Sequence, residues 1–198
     1  MRLAALLTAV AMFLATPSLA ADNDGGWTGS FNIIAGQRNI TQKYWEPVES
    51  QTVVGMEAAF GKEYWPAHFL VTAHSSRKSA DAIASSGGGT YAVTGTTVEL
   101  GVGAKTNFRL DNIEPYLAAG VSWTTAKIEG GSTSTPTGSD TDSNRAGYFG
   151  AVGLNYIFFE NFQVGGSVRI LEGTEVNLFD SKGDADHIQY AFLFGWLF

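Results

Sequence analysis

Ile188-Gln-Tyr-Ala-Phe-Leu-Phe-Gly-Trp-Leu-Phe198 is the stretch whose pattern decides the fold. Counting back in twos from the last residue, Phe198, Trp196, Phe194, Phe192, Tyr190 and Ile188 are all large and apolar. Between them, Leu197, Gly195, Leu193, Ala191 and Gln189 are smaller and less apolar. A period of two is the mark of a β-strand with two unlike faces. The large face carries more aromatic surface than a strand needs to pack on a soluble sheet. A strand that crosses a bilayer needs ~9–11 residues and carries aromatic rings at the water–lipid boundaries.

Seven segments upstream alternate in the same way. They are Trp27–Gln37, Thr52–Gly61, Trp65–His74, Thr94–Lys105, Ile113–Thr125, Gly147–Phe158 and Phe162–Leu171. In the fourth, for example, Val98, Leu100, Val102 and Ala104 oppose Thr97, Glu99, Gly101 and Gly103. Tyr91 and Val93 are out of phase with that strand, so a bulge or a strand end is expected near Gly95. With the last segment the count is eight, and an even number closes an antiparallel barrel with both termini at one end.

Connection lengths alternate too. Long polar stretches, Arg38–Gln51, Ser75–Thr90, Ala126–Ala146 and Glu172–His187, follow the odd strands, and short ones, Lys62–Tyr64, Thr106–Asn112 and Phe159–Asn161, follow the even strands. Membrane barrels of bacteria have short periplasmic turns and long outer loops, so both termini are expected on the periplasmic side. The third long connection, rich in Gly, Ser, Thr and Asp from Glu129 to Ser143, is expected to be a mobile loop. Gly36, Gly55, Gly101, Gly103, Gly120, Gly153, Gly165 and Gly195 fall on the inner face of this assignment. An eight-stranded barrel leaves an interior just wide enough for side chains, so small residues must alternate with large ones there. The expected lumen is packed. A soluble ligand-carrying barrel has apolar side chains inside and polar ones outside; here Glu57, Glu99, Asn155, Gln163 and Arg169 lie opposite the aromatic face.

Composition agrees. Residues Met1–Ala20 read as a secretory signal, with Arg2 at the start, an apolar core from Leu3 to Ala15 and a Ser18-Leu19-Ala20 cleavage site, which leaves residues 21–198 as one barrel domain. The core is shorter than the ~20 residues of a spanning helix. Arg2 is the one charged residue of this leader, so the net charge moves from −7 to −8 when it is removed. That acid excess argues against a nucleic-acid partner. With no Cys, the chain has no disulfide framework, thiolate metal site or lipoprotein anchor.

Three inward charges, Glu57, Glu99 and Arg169, come from the second, fourth and seventh strands. Buried charges are costly unless paired, so a lumen ionic network is expected, with Arg169 held by Glu99 near mid-height and Glu57 within its reach. Trp27, Phe60, Trp123, Tyr156, Phe158, Phe162, Trp196 and Phe198 are expected to face lipid or its boundary. The acidic run Asp180-Ser-Lys-Gly-Asp-Ala-Asp186 lacks the ligand spacing of a helix–loop–helix calcium site and reads as a solvated loop. No metal, cofactor or catalytic residue is expected.

With those residues in view, the chain resembles the small outer-membrane barrels of the OmpX/OmpA-membrane-domain type. Pro115-Tyr-Leu-Ala-Ala-Gly-Val121 is similar to a Pro-Tyr strand common in that superfamily, and the Phe192–Phe198 strand is similar to its C-terminal signature. The resemblance implies an all-β, eight-stranded antiparallel transmembrane up-and-down β-barrel in the cell outer membrane of a Gram-negative bacterium. It implies contact with outer-membrane lipid and lipopolysaccharide, and insertion by the barrel-assembly machinery, which reads the C-terminal strand. No peptidoglycan-binding domain follows Phe198, so a cell-wall tether is not implied. Within such a superfamily fold does not settle function. The expected role is non-enzymatic, in envelope integrity or surface interaction. One alternative is a narrow OmpW-like passage for small hydrophobic solutes. Another is a PagL-like lipid-A acyl hydrolase, to which His74-x-Ser76 has the spacing of the His-x-Ser pair, although it sits at the end of the third strand and points inward.

Overall fold

The structure is a computed structural model that describes residues 26–83, 90–132, 135–179 and 181–198. The leader reading of Met1–Ala20 lies outside the described residues. The described strands are β1 (Trp27–Ile40), β2 (Ser50–Lys62), β3 (His68–Ile83), β4 (Thr90–Asn107), β5 (Ile113–Ser132), β6 (Thr135–Phe158), β7 (Phe162–Glu172), β8 (Glu175–Leu178), β9 (Ser181–Asp184) and β10 (His187–Leu197). A short 3-10 turn, Lys43–Trp45, stands between β1 and β2. Eight strands close an antiparallel barrel in the order β1-β10-β7-β6-β5-β4-β3-β2, and β8 and β9 form a separate hairpin.

Closure is made by the stretch at the C-terminus. Ile33 of β1 lies opposite Phe194 of β10, and Gly29 and Phe198 exchange two backbone hydrogen bonds of 2.9 and 3.0 Å. A closed ring leaves no open strand edge in the wall, which is what a bilayer demands of a sheet. The two faces separate cleanly. On β4, Val98 and Leu100 are 44% and 51% exposed, whereas Thr97 and Glu99 are 1% and 0% exposed.

Strand ends differ from the sequence reading. The third strand starts at His68 rather than Trp65, because Pro66 has no N–H to give to a ladder. Arg38, assigned to the first loop, is inside β1, and much of the second and third long connections is strand. Pairing of β3 with β4 continues from Lys78↔Gly95 to Ile83↔Thr90, and that of β5 with β6 from Lys127↔Thr141 to Ser132↔Thr135. In the Ser/Thr/Gly-rich segment expected to be a mobile loop, the described residues on either side of 133–134 are therefore paired strand. Its ladder is made of backbone groups, which do not depend on hydrophobic side chains. As a result β3–β6 rise past the other strands at the end opposite the termini.

The bulge expected near Gly95 is absent, and the β3–β4 register is unbroken from His68↔Lys105 to Ile83↔Thr90. Tyr91 and Val93 lie on the inner face. Val93 packs against a buried apolar cluster of Ile40, Trp45, Val48, Ala126, Val176, Leu178 and Ala185. That cluster closes the outer mouth. Trp45 is fully buried in it and donates its indole N–H to the Asp184 carbonyl at 3.1 Å.

Candidate functional site

Beneath the apolar cap the lumen is polar and full. Period-two alternation aims Arg38, Thr97, Glu99, Arg169 and Gln189 inward from β1, β4, β7 and β10, where all five are buried. Arg38 donates from Nη2 to Glu99 Oε2 at 2.8 Å, from Nη1 to Thr97 Oγ1 at 2.9 Å, and from Nε and Nη2 to Gln189 Oε1 at 3.2 and 2.8 Å. Arg169 reaches Glu99 from the opposite wall, Nη2 to Oε1 at 2.5 Å, and its guanidinium lies 3.6 Å from the centre of the Phe149 ring. Each Glu99 oxygen therefore accepts from a different arginine. The planar fork of arginine suits such sharing, and the ring face adds a cation–π contact. Gly101 makes room for this crossing, since a Cβ there would lie 3.3 Å from Arg169 Nη2 and 2.6 Å from Thr72 Oγ1.

His187 stands between the cap and this cluster. Its Nδ1 donates to the Ala185 carbonyl at 3.0 Å, and its Nε2 lies 3.5 Å from Glu99 Oε2. Ser76 gives its proton to Gln51 Oε1 at 2.6 Å, so Thr97 is the donor in the 2.5 Å contact between the two hydroxyls.

A second ion pair sits nearer the periplasmic end. Lys105 Nζ donates to Glu57 Oε1 at 2.7 Å and lies 4.0 Å above the Tyr116 ring. Asn32 donates to the same oxygen at 3.3 Å, and Gln163 donates to Asn32 Oδ1 at 2.6 Å. Of the three inward charges read from the sequence, Glu99 and Arg169 meet. Glu57 does not meet Arg169; Lys105 holds it instead, because the two stand at the same height on β2 and β4. Among the described residues the buried Lys and Arg side chains are Arg38, Lys105 and Arg169, and the buried carboxylates are Glu57, Glu99 and Glu114. They are equal in number, but Arg38 and Arg169 share Glu99, and Glu114 forms no ion pair among the described residues.

Arg38, Gln51, Lys105 and Gln189 belong to the network without having stood out in the sequence. Parity alone points to Arg38, two residues beyond the inward Gly36, and to Lys105, two beyond Gly103.

His74 and Ser76 both point into the lumen and are buried. The Ser76 hydroxyl is engaged by Gln51 and Thr97, and neither His74 ring nitrogen has a hydrogen-bond partner among the described residues. No His/Ser pair faces lipid at this point of the wall. On the fourth connection, Asp184 accepts from Gln42 and Asp186 from the Thr174 N–H, while Asp180 lies outside the described residues. Among the described residues no three His, Cys, Asp or Glu side chains converge as metal ligands.

The eight aromatic residues read from the sequence stand on the outer face of the wall. Trp27 meets Phe60 and Trp65, and Phe162 stacks on Phe158 and takes Trp196 edge-on at 4.7 Å. Trp123 is on the upper wall, and Tyr156 and Phe198 are exposed lower down. Lys62 caps the Trp27 ring at 5.2 Å. Such rings suit the headgroup boundary, where an amphipathic surface is stable.

Known proteins carry the same architecture. Residues 6–198 match the family described as outer membrane protein beta-barrel domain. A major outer membrane protein from Thermus thermophilus is similar at 14% identity with a TM-score of 0.57, covering 87% of this chain and 100% of its own. Neisserial surface protein A aligns at 12% identity with a TM-score of 0.54, covering 86% and 94%. Ail, the attachment invasion locus protein of Yersinia pestis, in complex with the heparin analogue sucrose octasulfate, aligns at 12% identity with a TM-score of 0.51, covering 88% and 99%. No curated protein sequence matches significantly. At these identities the structures speak for the fold alone, while the family match runs through nearly the whole chain. The protein is an outer-membrane protein, and its chain belongs to the outer membrane protein β-barrel domain family.

Proposed function

We propose that the protein is a non-enzymatic, plugged outer-membrane barrel whose work is done on its outer surface, through the sheet of β3–β6 that stands above the rim. The observation that carries this reading is the double closure of the lumen, by the cap around Trp45 and by the Arg38–Glu99–Arg169 cluster beneath it. A passage for hydrophobic solutes wants an apolar bore or a side opening; the polar, paired interior argues against one. A lipid-A hydrolase wants its nucleophile and base on the lipid side, and the inward His74 and Ser76 argue against that pair. A role in envelope integrity fits the same closed barrel.

Ail, which has a complex with a sulfated heparin analogue, offers a contrast in charge. The present chain carries −7 overall, and a polyanion would be repelled at long range. The outer parts of β3–β6 carry Arg77, Lys78, Lys127 and Arg145 against Asp81, Glu129, Asp140 and Asp142, so the outer sheet has no net charge of its own and is suited to neutral surfaces.

Three measurements test the proposal. In planar bilayers the purified protein should give no steady conductance, and lipid A from cells with and without the protein should have the same acyl chains by mass spectrometry. Cells that display it should bind a neutral surface better than cells with the β5–β6 hairpin trimmed above the rim. A steady open channel, or a missing acyl chain, would overturn the reading.

A further inference from the structure

Two glycines on the outer wall have no reason to be glycine that lies inside the chain. At Gly153 a Cβ would fall on the Tyr116 ring, and at Gly101 it would crowd Thr72, so those inner positions are sterically small. Gly150 on β6 and Gly166 on β7 face outward, and the space around them is open. A Cβ at Gly150 would have nothing within 4 Å, and one at Gly166 would meet only the Ala191 carbonyl at 3.9 Å. Neither has a positive φ. Glycine in a strand weakens it relative to a β-branched residue, so these positions forgo stability without an internal return.

What the missing side chains create is a groove. Gly166 lies between Leu154 of β6 and Phe192 of β10, and its depression of about 670 Å³ extends to Val152, Val168 and Tyr190. Gly150 opens a neighbouring depression of about 350 Å³ that shares Val152 and Val168 with the first. Gly150 stands opposite Ile170, four residues above Gly166 on β7. The pair of depressions therefore extends over roughly 13 Å at strand rise. The upper rim of the first is polar, formed by the Tyr190 ring with its hydroxyl and by Gln37, whose amide donates to Ser50 at 2.7 Å. Both rim residues stand in the half of the barrel away from the termini.

An apolar trench topped by hydrogen-bonding groups matches an amphiphile, and this wall is continuous with the lipid-facing surface of an outer-membrane barrel. We propose that the Gly150–Gly166 groove seats one acyl chain of lipid A from the outer leaflet, with Tyr190 and Gln37 next to the headgroup. The bulky walls Leu154, Phe192 and Ile170 fit around a thin chain, whereas a second barrel would need a ridge of the same shape.

The test uses the full-length protein extracted in mild detergent with its native lipid and examined by native mass spectrometry. Gly150→Val and Gly166→Val, alone and together, fill the groove where a Cβ is free. They should fold normally, with unchanged heat-modifiable migration on gels. The wild type should retain one lipid A per barrel, and the double variant should lose retention by about tenfold, equivalent to roughly two methylenes losing their seat. Phe192→Ala, which lowers one wall at an exposed position, should weaken retention in the same direction and serves if a valine variant fails to fold. Equal retention in wild type and variants overturns the proposal. So does a wild type that runs as a dimer and becomes a monomer when the groove is filled, because the occupant would then be a second copy.

Discussion

Replacing Glu99 by Gln removes one charge and keeps the side chain's shape, at the point where two arginines converge. The carboxylate is 2.8 Å from Arg38 and 2.5 Å from Arg169, and the paired side chains are 0–5% exposed. Breaking a buried pair costs about 3–5 kcal/mol, since the partner is left as an uncompensated charge. The two pairs share one carboxylate, so their losses do not add, and the expected total remains about 3–5 kcal/mol. Arg169→Ala should cost less, roughly 2–3 kcal/mol, because Glu99 keeps Arg38 and only one ion pair and the Phe149 contact are lost. Arg145→Ala is the control: its partner Asp142 is in the outer hairpin and the arginine is exposed, so the barrel should be unaffected. Urea slopes of about 1–3 kcal/mol per molar turn the Glu99→Gln loss into a midpoint shift of roughly 1–5 M. Reversible unfolding in one detergent, followed by tryptophan fluorescence, measures this directly. Equal midpoints for all three variants would mean that the inner charges are hydrated, and the energetic account of the lumen would be wrong.

Further predictions concern the cap, the packing and the outer hairpins. Trp45→Ala removes a fully buried indole from the mouth and should cost about 3–5 kcal/mol, seen as faster protease cleavage near residues 41–49 at an unchanged barrel. Gly153→Ala puts a methyl group on the Tyr116 ring and should lower stability in urea by about 1–3 kcal/mol, whereas Gly150→Ala should not. Asp142 clasps the β8 hairpin through the Asn177 N–H at 2.6 Å. Burial raises its pKa, but the hydrogen bonds from Arg145, Asn177 and Ser143 and the Arg145 charge outweigh that and hold it below the ordinary aspartate value. A depressed folded pKa means that the clasp contributes in full above the unfolded value of about 3.9 and is lost as pH falls through the folded one. Amide exchange at Asn177 should therefore stay slow from neutral pH down to about pH 5, and Asp142→Asn should speed it near pH 7.

Local alternation was enough to identify eight strands, their two faces and the inward direction of Glu57, Glu99 and Arg169. The physical reason is that side-chain direction in a strand repeats every two residues and needs no knowledge of the partner strand. The aromatic outer face was legible on the same ground. Where strands end was not, because ladder hydrogen bonds come from the backbone: the polar run around Ser132–Asp142 pairs too, with register shifts at Thr124/Ala126 and Gly130/Ser132. Tyr91 and Val93 mislead for a related reason. Apolar side chains on a membrane strand point outward as a rule, but at the outer mouth the inner face is apolar too, against Trp45 and Leu178. Which charges meet was decided only by closure of the ring, since the stagger between strands sets their relative heights. That stagger brings Lys105 to Glu57, and Arg38 with Arg169 to Glu99, across a lumen that no single strand's pattern describes.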